Sequence, residues 1–177
     1  MYIWIGIDVD DQLPRIKAAA KEIEDRIGFR HSNFTLPLHI SLKISFPVPE
    51  DQAAKVMRDI TAVFEETPGF SIPVQGIFLD EVITWILMKE NPTLNALHDR
   101  LNSLLLEKYQ IPLHEYDLDY KFHTTLFMDD DRDKVCRAYK AIRDIPVPDN
   151  LIANCFVIGT SPTGKLGSYR VVHQIRV

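Results

Sequence analysis

Two four-residue segments of this chain nearly repeat each other, and each combines an acid–base group with a hydroxyl. They are His39-Ile40-Ser41-Leu42 and His123-Thr124-Thr125-Leu126. In an extended strand, side chains two positions apart project from the same face, about 6 to 7 Å apart. We therefore expect His39 to share a face with Ser41, and His123 to share a face with Thr125. Together they would give one site an acid, a base and two hydroxyl donors.

A pair of histidines suits the hydrolysis or transfer of a phosphodiester. Histidine titrates at about pH 6.5, so one neutral and one protonated imidazole can coexist near neutrality. We assign the base to His123 and the acid that protonates the leaving oxygen to His39, each contributing about 10² to 10⁴ in rate, with the roles exchanged in the reverse reaction. Ser41 and Thr125 would hold the non-bridging phosphate oxygens. This chemistry requires no metal ion and no cofactor.

The residues four positions after the two histidines differ, so the expected site is asymmetric. Lys43 follows the first histidine and could add positive charge beside a phosphate, whereas Phe127 follows the second and could stack on a base. A solvated Lys43 and a Phe127 buried in the core are the alternatives. Tyr169 and His173, near the C-terminus, complete the expected substrate-binding residues.

A repeated order of strands and helices would position the two histidine segments. Hydrophobic patterns predict strands over 2–7, 38–46, 70–79, 82–89, 122–128, 151–159 and 169–176. Helices are predicted to begin at Asp10 or Asp11, near Glu50, at Asn91-Pro92 and at Asp130 or Asp131. Trp4 and Trp85 are separated by nearly the same interval as the two histidines, which indicates an internal duplication.

Strands interleaved with helices place the chain in a mixed α/β class. We expect an α/β (α+β) fold that is bilobal and internally duplicated, with two mainly antiparallel sheets around a central cleft and helices outside. Residues 1–177 would form one domain, because a chain of this length can bury one core. Its lobes would cover approximately 1–80 and 81–177, and an exchange of strands between them stays open.

Composition limits the partners of the protein. With 20 basic and 25 acidic residues the net charge is −5, which gives little attraction for a long duplex nucleic acid. A small nucleotide or one strand end fits better. Cys136 and Cys155 are too few for a disulfide scaffold, which favours a cytoplasmic location. The N-terminal apolar segment has no basic residues before it and runs into acidic residues, so we expect no membrane association. We also expect the protein to be a monomer.

Two other functions compete with a two-histidine enzyme. Asp8 and Asp10 follow a strand in a D-x-D pattern similar to that of magnesium-dependent phosphatases with an aspartate nucleophile, and the acidic residues at 129–131 and 133 could bind the ion. However, Gln12 stands where Thr or Val is expected, and helix dipoles favour carboxylates in first turns. The segment from His114 to Asp119 lacks zinc-ligand spacing. The second alternative is a module that binds a nucleotide through the same four side chains without turnover.

The chain as a whole resembles the two-histidine phosphoesterases, in the branch of 2′-5′ RNA ligase-like and cyclic nucleotide phosphodiesterase proteins. Two H-x-[ST]-x segments define that family, and its closing pattern is similar to the C-terminal stretch here: apolar residues 156–158, Ser161, Gly164, Gly167 and Tyr169. The resemblance covers essentially the whole chain. It implies a bilobal, metal-independent enzyme with His39 and His123 as the acid–base pair and Ser41 and Thr125 as phosphate-holding hydroxyls.

The same resemblance implies the reaction and the partner. The expected substrate is the 2′,3′-cyclic phosphate or the 2′-5′ phosphodiester of a small nucleotide or RNA end. Relatives often carry a basic residue after the second segment, where this chain has Phe127 and Met128. This departure argues against a large RNA bound on that side.

Overall fold

The computed structural model describes residues 1–30 and 33–177, so His31 lies outside the described residues. The described part contains eight β-strands and four α-helices in mixed order. They are β1 Tyr2–Asp8, α1 Pro14–Ile27, β2 His39–Pro47, α2 Glu50–Glu65, β3 Phe70–Asp80, β4 Ile83–Met88, α3 Pro92–Tyr109, β5 His123–Met128, α4 Arg132–Ile142, β6 Asn150–Ala153, β7 Cys155–Ser161 and β8 Arg170–Arg176. Short 3-10 helices lie at Asp10–Gln12, Asn33–Thr35 and Glu115–Asp117.

The strands form two four-stranded antiparallel sheets, with helices packed against them. The first sheet has the order β2-β1-β7-β8 and the second has the order β5-β4-β3-β6. Helices α2 and α3 contact each other and the first sheet, whereas α1 contacts α4, which lies against the second sheet. These features confirm the predicted fold class. The division into lobes at 1–80 and 81–177 stays a prediction.

The prediction of a single strand over 151–159 was wrong. The chain breaks at Asn154, so that β6 pairs with β3 in the second sheet and β7 pairs with β1 in the first. The Asn154 carbonyl accepts a hydrogen bond from the Val177 amide at 3.0 Å, which fixes the break. No glycine or proline marks this change of sheet, and those are the usual sequence signals for one.

Side-chain caps begin two of the four α-helices that the structure describes. Asn91 caps α3 through hydrogen bonds from the Thr93 and Leu94 amides, and Asp131 caps α4 in the same way. Helix α1 begins at Pro14 rather than at an aspartate cap. The reason is that the Asp10 carboxylate instead accepts the Leu38 amide hydrogen bond and pairs with Lys17.

Strand alternation separates a core face from a face that is open to ligands. Ile40 and Leu42 of β2 are fully buried, as is Leu126 of β5, in a core that both sheets share with the helices. His39 and Ser41, which alternate with Ile40 and Leu42 along β2, are half-buried. Among the described residues, none of the helices is long and apolar enough to cross a membrane.

Candidate active site

Both histidine segments line one cavity of ≈ 480 Å³, which we call the cleft. His39 and Ser41 reach it from β2, and His123 and Thr125 reach it from β5. The charge of His123 affects the pKa of His39, so the two imidazoles lie within electrostatic range of each other. The structure therefore brings together the four side chains that the two segments predicted.

The two imidazoles are held in the same way. Nδ1 of His39 lies 2.7 Å from the carbonyl oxygen of Pro37, and Nδ1 of His123 lies 2.6 Å from that of Lys121. A carbonyl oxygen can only accept, so Nδ1 carries the proton in each ring. Nε2 of each neutral ring is then the atom that can accept a proton from a ligand.

Burial holds both imidazoles in the neutral form. It lowers the pKa of His39 to about 4, assisted by the nearby His123 and opposed by the bond to the Pro37 carbonyl. Burial also lowers the pKa of His123, against the effect of the Lys121 carbonyl. A bound phosphate would act in the opposite direction, because a negative charge favours the imidazolium.

A tryptophan from the neighbouring strand packs against each histidine. The rings of Trp4 and His39 are 4.3 Å apart at 66°, and those of Trp85 and His123 are 4.5 Å apart at 48°. Nε1 of Trp4 also donates a hydrogen bond to Oγ of Ser41 at 2.9 Å. The spacing of the two tryptophans is nearly the same as that of the two histidines and indicated a duplication, but the contact of each tryptophan with a histidine was not predicted.

Glycines on two strands make room for the Trp4 indole. A Cβ atom at Gly159 would lie 2.7 Å from Cε3 of Trp4. At Gly6 it would lie 2.9 Å from Cζ2 of Trp4 and 2.8 Å from the carbonyl oxygen of Ile40. The indole thus lies close against the sheet, and a side chain at either position would move it away from His39 and Ser41.

Lys43 forms a buried ion pair rather than an open cationic site. Its side chain is 2% exposed, and Nζ binds the Asp117 carboxylate and donates to Oδ1 of Asn102 at 2.7 Å. His98 joins this group, with Nε2 lying 3.6 Å from Oδ1 of Asp117. Lys43 lines the cleft, but Asp117 neutralises its charge, so its contact with a phosphate stays a prediction.

Tyr120 adds a further hydroxyl to the cleft. Burial and the negative charge of Asp117 raise the pKa of Tyr120, and its interaction with Ser41 opposes that rise. The phenol therefore stays protonated at neutral pH and can donate beside Ser41. No sequence signal pointed to Tyr120, because the segment between α3 and β5 has no periodic pattern that assigns a face to a residue.

Comparison with known proteins assigns the family. A family model described as the 2′-5′ RNA ligase superfamily matches residues 10–151, which include both histidine segments. The chain belongs to the 2′-5′ RNA ligase superfamily. The predicted membership among two-histidine phosphoesterases is thereby confirmed. No curated protein matches the chain.

Solved structures share the fold of this superfamily member over its whole length. LigT of E. coli in its apo form is 17% identical, with a TM-score of 0.58, and the match covers 99% of this chain and 96% of LigT. TT0787 of Thermus thermophilus is 17% identical, with a TM-score of 0.63 and coverage of 99% and 97%. Usb1 of Kluyveromyces marxianus is 11% identical, with a TM-score of 0.50 and coverage of 99% and 98%. LigT has also been crystallised with 3′-AMP and with phosphate.

The other predicted substrate-binding residues of this superfamily member lie in different places. Tyr169 lines the cleft but is 8% exposed, packs with Trp4 and reaches the Gly164 carbonyl at 3.4 Å. Phe127 is fully buried and stacks on Phe29 at 5.2 Å, so its ring belongs to the core. His173 is exposed on β8, at the edge of the first sheet, and does not line the cleft.

The acidic residues of the competing phosphatase hypothesis lie outside the cleft. Asp8 lines a separate cavity of ≈ 270 Å³ together with Asp11 and Arg176, and burial raises its pKa. Asp129 and Asp131 accept hydrogen bonds from nearby backbone amides. Within residues 1–30 and 33–177, no group of three or more His, Cys, Asp or Glu side chains could hold a metal ion.

Proposed function

We propose that the protein is a metal-independent phosphoesterase that opens a 2′,3′-cyclic phosphate, or cleaves a 2′-5′ phosphodiester, on a small nucleotide or an RNA end. The observation that carries the proposal is one cleft lined by two histidines, each fixed at Nδ1 by a carbonyl and each followed by a hydroxyl two positions later. Membership of the 2′-5′ RNA ligase superfamily supports it, as do the 3′-AMP and phosphate complexes of the related LigT.

Hydrolysis of a cyclic phosphate needs one proton acceptor and one proton donor. A water oxygen attacks phosphorus while Nε2 of one histidine accepts a proton from that water. The bond from phosphorus to one ribose oxygen breaks, and this oxygen takes a proton from Nε2 of the other histidine. Exchange with solvent returns both rings to their starting states.

The electrostatics of the cleft favour His39 as the base and His123 as the acid. Burial, with a smaller contribution from the positive charge of His123, lowers the pKa of His39 to about 4, so we place the single proton that a bound phosphate favours on His123. His39 then begins the reaction neutral. We therefore propose the opposite of the assignment drawn from the sequence.

Three hydroxyls would hold the non-bridging oxygens of the phosphate. Oγ of Ser41 accepts the Trp4 indole N–H, which leaves the serine proton to be donated elsewhere. Thr125 and Tyr120 line the same cavity. Donors placed in advance in a partly buried site stabilise the charge that develops in the transition state.

Turnover assays with matched variants test this proposal. We expect hydrolysis of 2′,3′-cyclic nucleotides or 2′-5′ dinucleotides with EDTA present, and a fall in kcat of about 10²- to 10⁴-fold in His39→Ala and in His123→Ala. Asp8→Asn is the control and should retain activity, because Asp8 lies in the separate cavity.

The other outcomes identify the alternatives. Activity that survives both histidine substitutions contradicts the two-histidine mechanism. Activity abolished by EDTA and by Asp8→Asn would favour the magnesium-dependent phosphatase. Phosphate-dependent binding without turnover of any of these esters would favour a binding module.

A further inference from the structure

An exposed tyrosine stands at the wall of the cleft. Tyr116 lines the same cavity as the two histidines, yet 63% of its surface is exposed. The other aromatic side chains of the cleft wall are covered by protein: Trp4 and Tyr169 are buried, and Tyr120 is half-buried. Tyr116 is therefore the aromatic ring of the described cleft wall that offers most of its surface to a ligand.

The backbone around Tyr116 is fixed by its neighbours. Asp117, the next residue, is buried, and its carboxylate binds Lys43 and accepts the His114 amide hydrogen bond at 2.8 Å. The Tyr116 amide donates to Nδ1 of His114 at 3.3 Å, which closes a capping box. The exposed ring thus sits on a short helical turn that is pinned to β2, the strand that carries His39.

We propose that Tyr116 forms a nucleobase-stacking subsite of this cleft, so that a ligand places its phosphate at the histidines and its base on the tyrosine ring. This inference rests on the proposed function and deepens it, because it requires the base as well as the phosphate. Every base has a π face, so stacking of this kind tolerates different bases. Tyr116 takes the role that the sequence had suggested for Phe127, whose ring lies in the core.

A rigid ring outside the core favours binding for two reasons. Base–aromatic stacking increases affinity by about 5- to 150-fold per base. An aromatic side chain on an anchored turn also loses little conformational freedom when the ligand arrives. Lys43 contributes to recognition indirectly, since it holds Asp117 and thereby the turn that carries Tyr116.

Calorimetric titration of the full chain with adenosine 3′-monophosphate and with inorganic phosphate tests the subsite. We expect Tyr116→Ala to raise the Kd of the nucleotide by about 5- to 150-fold and to leave the Kd of phosphate unchanged. Tyr116→Phe should bind within about twofold of the wild type, because it retains the ring. Leu118→Ala is the control, as Leu118 is a large side chain two positions away that is 77% exposed but does not line the cleft.

The outcomes separate this inference from the proposed function. Unchanged nucleotide affinity in Tyr116→Ala, or a wild type that binds no nucleotide, overturns the subsite, and so does an equal loss for nucleotide and phosphate. If Tyr116→Ala weakens nucleotide binding but the wild type hydrolyses no cyclic ester, the subsite stands and the enzymatic proposal fails. If the wild type hydrolyses a cyclic ester but Tyr116→Ala binds the nucleotide as tightly as the wild type does, the enzymatic proposal stands and the subsite fails.

Discussion

The two halves of the cleft have the same framework but different surroundings. In each half a histidine is fixed by the carbonyl two residues before it, a tryptophan from the neighbouring strand covers its ring, and a hydroxyl follows two positions later. In the β1–β2 half, Trp4 also binds Ser41. In the β4–β5 half, the structure gives no hydrogen bond from Trp85 or Thr125 side chains to any described residue.

The largest difference lies four positions after each histidine. Lys43 enters a buried ion pair with Asp117, whereas Phe127 stacks on Phe29 in the core. Lys43 lines the cleft while its charge is paired with Asp117, whereas Phe127 does not line the cleft, so each ties its strand to a different part of the molecule. The duplicated frame therefore keeps the placement of the two histidines, while the residues around it form one ionic and one apolar support.

Removal of either support should have a large effect on stability. We expect Lys43→Ala to lower the free energy of unfolding by about 3–5 kcal/mol, because it leaves the Asp117 carboxylate buried without its partner. Phe127→Ala should cost a similar amount, about 3–5 kcal/mol, through the cavity that it leaves. The free energy of unfolding measured in urea gives both losses.

A double variant serves as the control for this ion pair. Lys43→Met combined with Asp117→Asn removes both charges and should recover part of the stability that Lys43→Ala loses. A cost below about 1 kcal/mol for Lys43→Ala would contradict a buried pair and place Lys43 in solvent.

The pH dependence of activity should separate the two histidines. In the free enzyme, kcat/KM requires neutral His39 and protonated His123, so it should fall as the pH drops through about 4 and also as the pH rises through the lowered pKa of His123. Bound phosphate favours the imidazolium, so both limbs of kcat should lie about 1–3 pH units higher. Rates measured across this range, with native fluorescence as the folding control, test the shift.

Variants assign the two limbs of that profile. The residual activity of His39→Ala should lose its acidic limb, and that of His123→Ala should lose its basic limb. If His39→Ala instead loses the basic limb and His123→Ala loses the acidic limb, His123 is the base and His39 is the acid, as the sequence suggested. If kcat and kcat/KM have the same pH dependence, the charge of the bound phosphate does not raise the pKa values of the histidines, which contradicts this prediction.

The sequence predicted the local geometry of the site because that geometry depends on strand alternation. A period of two places His39 beside Ser41 and His123 beside Thr125, whatever the strands pair with. The family followed mainly from the same segments, and the fold class followed from the order of strands and helices. In contrast, the change of sheet at Asn154 depends on pairing with β1 and β3, which are distant in the sequence, and no turn residue marks it.

The environment of the cleft could not be predicted for a related reason. The partner of Lys43 lies 74 positions away, in a segment without periodicity, so a strand lysine gave no sign of an ion pair. Tyr116 and Tyr120 lie in the same segment and were missed for that reason. Phe127 had the composition of a base-stacking residue, but tertiary packing against Phe29 decides its place.

The smallest expected effect tests the first difference between the halves, the hydrogen bond to Ser41. Trp4→Phe retains a ring beside His39 but removes the N–H that binds Ser41, so we expect kcat/KM to fall by about 2- to 12-fold, equivalent to about 0.5–1.5 kcal/mol. Trp85→Phe should change it less.

A double-mutant cycle isolates this bond from the general loss of packing. In a Ser41→Ala background, Trp4→Phe should have almost no further effect on kcat/KM, which gives a coupling energy of about 0.5–1.5 kcal/mol between the two residues. The corresponding cycle of Trp85→Phe with Thr125→Ala should give a coupling close to zero. Equal couplings would mean that the two halves hold their hydroxyls in the same way once a ligand is bound. The asymmetry of the cleft would then lie in its ionic and apolar supports and not in the site itself.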